Sequence, residues 1–179
     1  MPITNFKLTT VAAILMSIML VFFSSSAFTI GVEADDFITR ASASGVAEIE
    51  SGKIALEKTT YPEIKEFAKK MIENYASSNK DLRELAAKKD VEIADEAVLL
   101  DKAKAYVLKQ REGESFDVAY VNNQIDAHRE TIKLYEQASS SPDEDVRRLA
   151  ATSLPRLEQH LQEAEALVAV IARGSASAQ

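Results

Sequence analysis

Residues Pro62–Lys89 read PEIKEFAKKMIENYASSNKDLRELAAKK, and this stretch decides the fold class. Its apolar residues Ile64, Phe67, Ala68, Met71, Ile72, Tyr75, Leu82, Leu85 and Ala86 recur at three- and four-residue steps, so they share one face of an α-helix. Thr60 and Glu63 have the spacing of a capping box, and Pro62 falls in the first turn, where a helix needs no backbone donor. Such a helix must bury its apolar stripe against neighbours.

The same period extends in both directions. Downstream, Ser141, Pro142 and Glu144 repeat the start signature ahead of Val146, Leu149, Ala150, Leu154, Leu157, Leu161, Ala164, Leu167, Val168 and Ile171. Pro155 interrupts that run and is expected to kink or divide the helix. Upstream, residues Asp36–Lys58 carry Phe37, Ile38, Ala41, Gly45, Ile49, Gly52 and Leu56 on one side, whose small members suit close packing or leave room for something else. Residues Ser115–Ala138 place Val118, Val121, Ile125, His128, Ile132 and Tyr135 on one stripe, and a shorter helix, Glu96–Arg111, is stopped by Gly113. Five glycines and four prolines punctuate the chain, and no alternating strand pattern occurs. The expected fold is all-α: an antiparallel four-helix bundle with an additional short helix. Its two similarly capped long helices give the two-hairpin impression that ferritin-like and many other bundles share. Ile72, Ile125 and Leu157 are expected in its core.

The N-terminus reads as an export signal. Lys7 precedes an apolar run, Val11–Phe23, broken only by Ser17, and Ser25-Ser26-Ala27 offers a small-x-small cleavage site. Val32-Glu33-Ala34 is a second, more distant site, and an uncleaved anchor extending through Val32 is the alternative. The expected organisation is a signal peptide over 1–27, the bundle over 28–173 and a small, polar, disordered tail over 174–179. No second hydrophobic span follows, so the processed protein is expected to be periplasmic or otherwise exported, and at most peripheral to the outer membrane.

Composition narrows the chemistry. The 179 residues contain no cysteine, which excludes disulfides, thiolate metal sites, a cysteine nucleophile and lipidation at cysteine. The net charge is −7, and losing Lys7 with the signal takes it to −8; the charges are interspersed, with no basic stripe for phosphates, so no nucleic acid is expected as a partner. Protein partners or a small homo-oligomer remain open. No phosphate-binding glycine loop, Gly-x-Ser-x-Gly elbow or His-Glu-x-x-His run appears, and no catalytic constellation is assigned.

The polar residues at core-facing positions are few. Both histidines of the chain, His128 and His160, fall in apolar helical stripes, where neutral imidazole is a common bundle-core metal ligand. Glu48 lies beside Gly45 and Gly52 at three- and four-residue spacing; it either points to water or is buried with a compensating partner. The Glu-x-x-His motif of di-iron bundles is missing, because Ile125 and Leu157 stand three before the histidines. About the turn near Thr60, Glu48 and Tyr75 differ in height by roughly 4–5 Å. About the turn near Ser140, His128 and His160 differ by roughly 12 Å, so in straight helices they do not meet.

Taken in order, Phe37-Ile38, Ala41-Ser42, Gly45, Ala47 through Ala55, Ile64 through Ile72, Phe116-Asp117, Tyr120, His128, Leu154-Pro155, Leu157 and His160-Leu161 resemble a bacterial ferritin-like family of unknown function, often labelled "predicted outer membrane protein". The resemblance spans nearly all of Asp36–Val168. It implies an exported helical bundle with an inward cluster of Glu and His. Where members carry Asp-His on the second helix, this chain has Asn74-Tyr75, so a phenol replaces one implied ligand. Two functions are therefore carried forward. One is a non-enzymatic envelope protein, stress- or surface-related, working through protein contacts. The other is a metal- or small-ligand-binding bundle with redox or storage activity, using Glu48, Tyr75, His128 and His160 for a divalent or ferric ion.

Overall fold

The computed structural model describes residues 32–177, so the apolar N-terminal run and the Ala27 site lie outside the described residues. Within them are five helices and no strand: α1 (Ala34–Lys58), α2 (Pro62–Lys89), α3 (Leu99–Lys109), α4 (Gly113–Ala138) and α5 (Glu144–Ser177).

Polar contacts fix the topology. Lys89 at the end of α2 pairs with Asp143 just before α5. At the opposite end, Lys58 pairs with Glu112 ahead of α4, and Ser175 donates to Glu114 at 2.7 Å. The chain leaving α2 crosses back near the start of α1, where the Ala94 amide donates to Ser42 Oγ at 3.0 Å. Segment 90–112 therefore traverses the bundle lengthwise, and α2 and α4 run parallel. Helix α1 packs on α2 and α4, α5 packs on α2 and α4, and α3 lies over α1 and α4. The result is a four-helix ring with one short helix outside it, the all-α class the periodicity predicts.

The helix starts differ from the capping-box expectation. Tyr61, not Thr60, caps α2, and no side chain bonds the freed amides; Thr59 Oγ1 instead accepts from the Tyr61 amide. At α5 the cap is Asp143, whose Oδ1 accepts from the amides of Asp145 and Val146 at 3.0 and 3.1 Å, while Ser141 Oγ holds the Asp143 amide. A carboxylate is as good an N-cap as a hydroxyl, and Asp143 directly precedes the first helical residue, two positions after Ser141. Pro155 does not divide α5, which is one helix on either side of it. The missing proline hydrogen bond costs about 3 kcal/mol, a cost the buried residues on either side, Val146, Ala150, Leu157, Ala164, Leu167 and Ile171, offset by packing. Helix α5 also runs past Gly174, where a polar tail was expected, because Ser175 Oγ bonds back to the Ile171 carbonyl and forward to Glu114.

The core contains Phe37, Ile38, Ile64, Met71, Leu82, Phe116, Tyr120 and Val146, with Phe37 and Tyr135 edge to face at 5.0 Å. Ile125 and Leu157 join it as expected. Ile72 is only half-buried, covering Gly52, and Val118 is exposed on the outer side of α4. The small residues of α1 divide between two uses. Gly45 and Gly52 let α2 approach, since a Cβ at either would overlap Asn79 or Ile72. Ala43, Ser44, Ala47 and Ser51 face α3 and α4 instead and leave a cavity there.

Candidate functional site

The apolar stripe of α4 carries His128 into the middle of the bundle, where it is fully buried. Its Nδ1 lies 2.8 Å from the Gln124 carbonyl, one turn earlier, and so must carry the proton. Nε2 is left with its lone pair, and the Tyr75 hydroxyl of α2 donates to it at 3.2 Å. Burial holds the Tyr75 phenol well above its ordinary range, with Glu48 adding to the effect, so it remains a donor. His160 approaches from α5. Its ring centroid lies 5.6 Å from that of His128 at 87°, and 6.2 Å from that of Tyr75. The Asn74 amide meets His160 Nε2 at 2.9 Å, and His160 Nδ1 is buried with no partner among the described residues.

The histidines therefore do meet, against the straight-helix expectation. The reason is the tilt of Cα–Cβ bonds toward a helix's own N-terminus. His128 is nearer the α4–α5 turn and leans away from it, while His160 is farther and leans back. The two tilts close much of a height difference that a residue count leaves open. Both imidazoles are neutral near pH 7. Burial lowers His128, and burial with the neighbouring His128 lowers His160 from 6.5 to about 4.

Glu48 is buried too, at 3% exposure, but in different company. Its Oε2 accepts from Gln124 Nε2 at 2.8 Å, and Gln124 Nε2 also reaches Ser51 Oγ at 3.2 Å. No cation lies within ion-pair distance of it among the described residues, and burial lifts its carboxyl from 4.5 to about 7. Its side chain lines the cavity between α1, α3 and α4. The structure thus brings Tyr75, His128 and His160 together and gives Glu48 a separate place, linked to them through Gln124.

Two participants escaped the sequence reading. Asn74 anchors His160, and Gln124 holds both His128, by its carbonyl, and Glu48, by its amide. Gln124 was detectable, since it stands one turn before His128 on the same stripe. Asn74 was not, because it borders the apolar face and is half-buried. No group of three or more His, Asp or Glu able to hold a metal ion occurs among the described residues. Any ion at this cluster would rest on two imidazoles with softer or neutral neighbours. Met71 is fully buried one turn before Tyr75 on the same face of α2.

A family model described as "Domain of unknown function (DUF4142)" matches residues 24–167. No curated protein matches the chain. A solved structure described as "CopM in the Cu(I)-bound form" is similar over 76% of this chain and 95% of that one, with a TM-score of 0.63 and 16% identity. At that identity the likeness is one of fold. No helix among the described residues is long and apolar enough to cross a membrane.

Proposed function

We propose, from the premise that this chain belongs to the DUF4142 family, that it is an exported helical bundle whose core binds a single soft metal ion, with Cu(I) the best match to its donors. One observation carries the reading: two buried, neutral imidazoles meet edge to face at 5.6 Å, His128 held through Nδ1 by the Gln124 carbonyl and His160 through Nε2 by the Asn74 amide. Metal-bound histidines are held in that way, with the second ring nitrogen tied to a carbonyl or amide so that the tautomer and ring direction are set. His128 meets the requirement directly. At His160 the Asn74 Nδ2 lies 2.9 Å from Nε2, so a ligand role for Nδ1 requires the other tautomer, with the Asn74 amide turned so that its oxygen accepts from Nε2–H.

The donor set selects the ion. Imidazole and thioether suit Cu(I), whereas a dication would enter a dry core with no carboxylate bonded to either ring. A monovalent ion content with two or three neutral donors carries the smaller desolvation cost. His128 and His160 would hold it, Met71 is the available third donor, and Tyr75 closes the site on the α2 side. A bundle of similar fold is described in a Cu(I)-bound form, which supports the choice. The single lengthwise crossover between α2 and α4 is the connection ferritin-like bundles use, and supports that kinship too.

The test is Cu(I) titration of untagged protein against a chromophoric competitor. One equivalent retained, and lost in both His128→Ala and His160→Ala, is expected. No retention by the unmodified protein, or retention indifferent to both substitutions, overturns the reading. A second reading is favoured by the 3.2 Å Tyr75–His128 bond, which can satisfy the cluster without metal. It makes the histidines structural and the protein a non-enzymatic envelope component acting through its surface.

A further inference from the structure

We propose that the cleft between α1, α3 and α4 is a binding site for a small primary alkylammonium ion, with Glu48 as its buried counter-charge. This site is separate from the histidine cluster and does not depend on it.

The cavity has a volume of about 210 Å³. For scale, a dry cavity of about 150 Å³ accommodates benzene, so a short alkyl chain fits. It exists because α1 presents small side chains, Ala43, Ala47 and Ser51, toward two helices that cannot close on them. Helix α3 is only eleven residues long and bridges the opening from outside. Ala43 and Ala47 of α1, with Ala105 of α3, supply apolar wall for a chain of methylenes.

The charges select the head group. Four ionisable side chains besides Glu48 line the cleft: Arg40 on α1, Asp101 and Lys104 on α3, and Glu130 on α4. Arg40 is engaged by Asp36 at 3.0 Å, and Lys104 by Asp101 at 3.4 Å. Glu130 has no ion pair among the described residues, and neither has Glu48. Glu130 is exposed to solvent, so Glu48 is the buried carboxylate of the cleft without an ion pair, with Asp101 and Lys104 acting on it in opposite senses from α3.

Glu48 is the decisive group. It is 3% exposed, Gln124 occupies Oε2, and no protein donor among the described residues reaches Oε1. Gln124 Oε1 beside it is buried without a donor among the described residues, whereas Glu48 lines the cleft. A carboxylate so largely withdrawn from water favours protonation or a cationic partner. An ammonium brings three donors and one positive charge, and its apolar tail meets the alanines. A metal ion is the poorer match, because Glu48 offers one free oxygen and no His, Asp or Glu cluster completes a shell.

The experiment is calorimetric titration of the full folded protein with n-butylamine hydrochloride, with 1-butanol and sodium butyrate as controls. Saturable binding of the amine alone is expected, weakened roughly tenfold or more in Glu48→Gln by loss of a charge-assisted contact. Glu48→Gln keeps the shape and the Gln124 contact, so it is expected to fold. Ala47→Leu, which fills the cleft and spares the carboxylate, is expected to abolish binding as well. His128→Ala is expected to retain it, which separates this site from the metal reading. Absence of amine binding at millimolar concentration, or equal binding of butanol or by Glu48→Gln, overturns the proposal.

Discussion

His128 and His160 sit on different helices at unequal distances from the turn that joins them, yet their rings meet edge to face at 5.6 Å in the core. Neither ring is positioned by the other. Gln124 orients the first through its carbonyl and Asn74 the second through its amide, so the pair is a meeting of two independently fixed groups. Fixed, neutral donors are what a soft ion needs, because rearranging them on binding would consume affinity.

Tyr75 tests how this pair is completed. Tyr75→Phe removes one 3.2 Å bond and should cost roughly 0.5–1.5 kcal/mol of stability, read as a lowered thermal midpoint. Cu(I) binding should survive, because the phenol is held protonated and is not itself a ligand. Tyr75→His adds a third imidazole and should create divalent-ion binding, with Zn(II) the convenient probe. Tyr75→Phe protein that loses Cu(I) completely would make the phenol a ligand after all.

The sequence disclosed the class of fold because the 3.6-residue period is strong in all four long helices. Met71, Ile125, Leu157 and both histidines point where that period says. Helix ends were less legible. Two hydroxyl-based capping boxes were expected, and the chain uses Asp143 for α5 and no side-chain cap for α2. The site was half legible. Inward direction follows from period, but meeting across helices depends on side-chain tilt, which a count of residues omits. Glu48 could not be placed at all from its spacing, since the small residues around it serve both the α2 contact and the α3–α4 cavity.

Those two uses of α1 can be separated at Gly45. A methyl there would overlap the Asn79 side chain, which is buried and bonded to the Ser42 carbonyl at 3.4 Å. Replacing glycine by alanine in a helix interior ordinarily stabilises by roughly 1 kcal/mol. Here Gly45→Ala should instead destabilise by about 1–3 kcal/mol, the usual cost of overpacking. Adding Asn79→Ala should restore most of the loss, and chemical denaturation of the single and double variants measures it. Gly45→Ala protein at least as stable as the parent would show that α1 and α2 are not held this closely.

Export is tested at the N-terminus. The run Val11–Phe23 followed by Ser25-Ser26-Ala27 predicts a processed chain beginning at Phe28. Intact-mass analysis of protein recovered from the cell envelope of an expressing bacterium should show that start. A chain beginning at Met1 and retained in the inner membrane would identify the segment as an anchor.

Glu48 predicts an inverted response to pH. Its carboxyl titrates near 4.5 in the unfolded chain and at about 7 in the folded one, so between those values the folded state holds a proton that the unfolded state has released. Stability attributable to this group therefore falls as pH rises from 4.5 to 7 and is level outside that window. A shift of this size corresponds to roughly 3 kcal/mol as an upper bound. His160 acts in the opposite sense. Its folded value is lowered from 6.5 to about 4, so its contribution is lost as pH falls through that interval. His128, also lowered by burial, acts in the same sense as His160. Between about 4.5 and 6.5 the histidines and Glu48 therefore oppose each other, and each partly masks the other. Single substitutions uncover them. Glu48→Gln should lose stability only on acidification, and should exceed the parent most above pH 7. Relative to the parent, His160→Asn should lose stability as pH rises from 4.5 to 7. Denaturant midpoints taken across pH 4–8 decide the matter, and a Glu48→Gln profile parallel to the parent would mean that this carboxyl is solvated rather than buried.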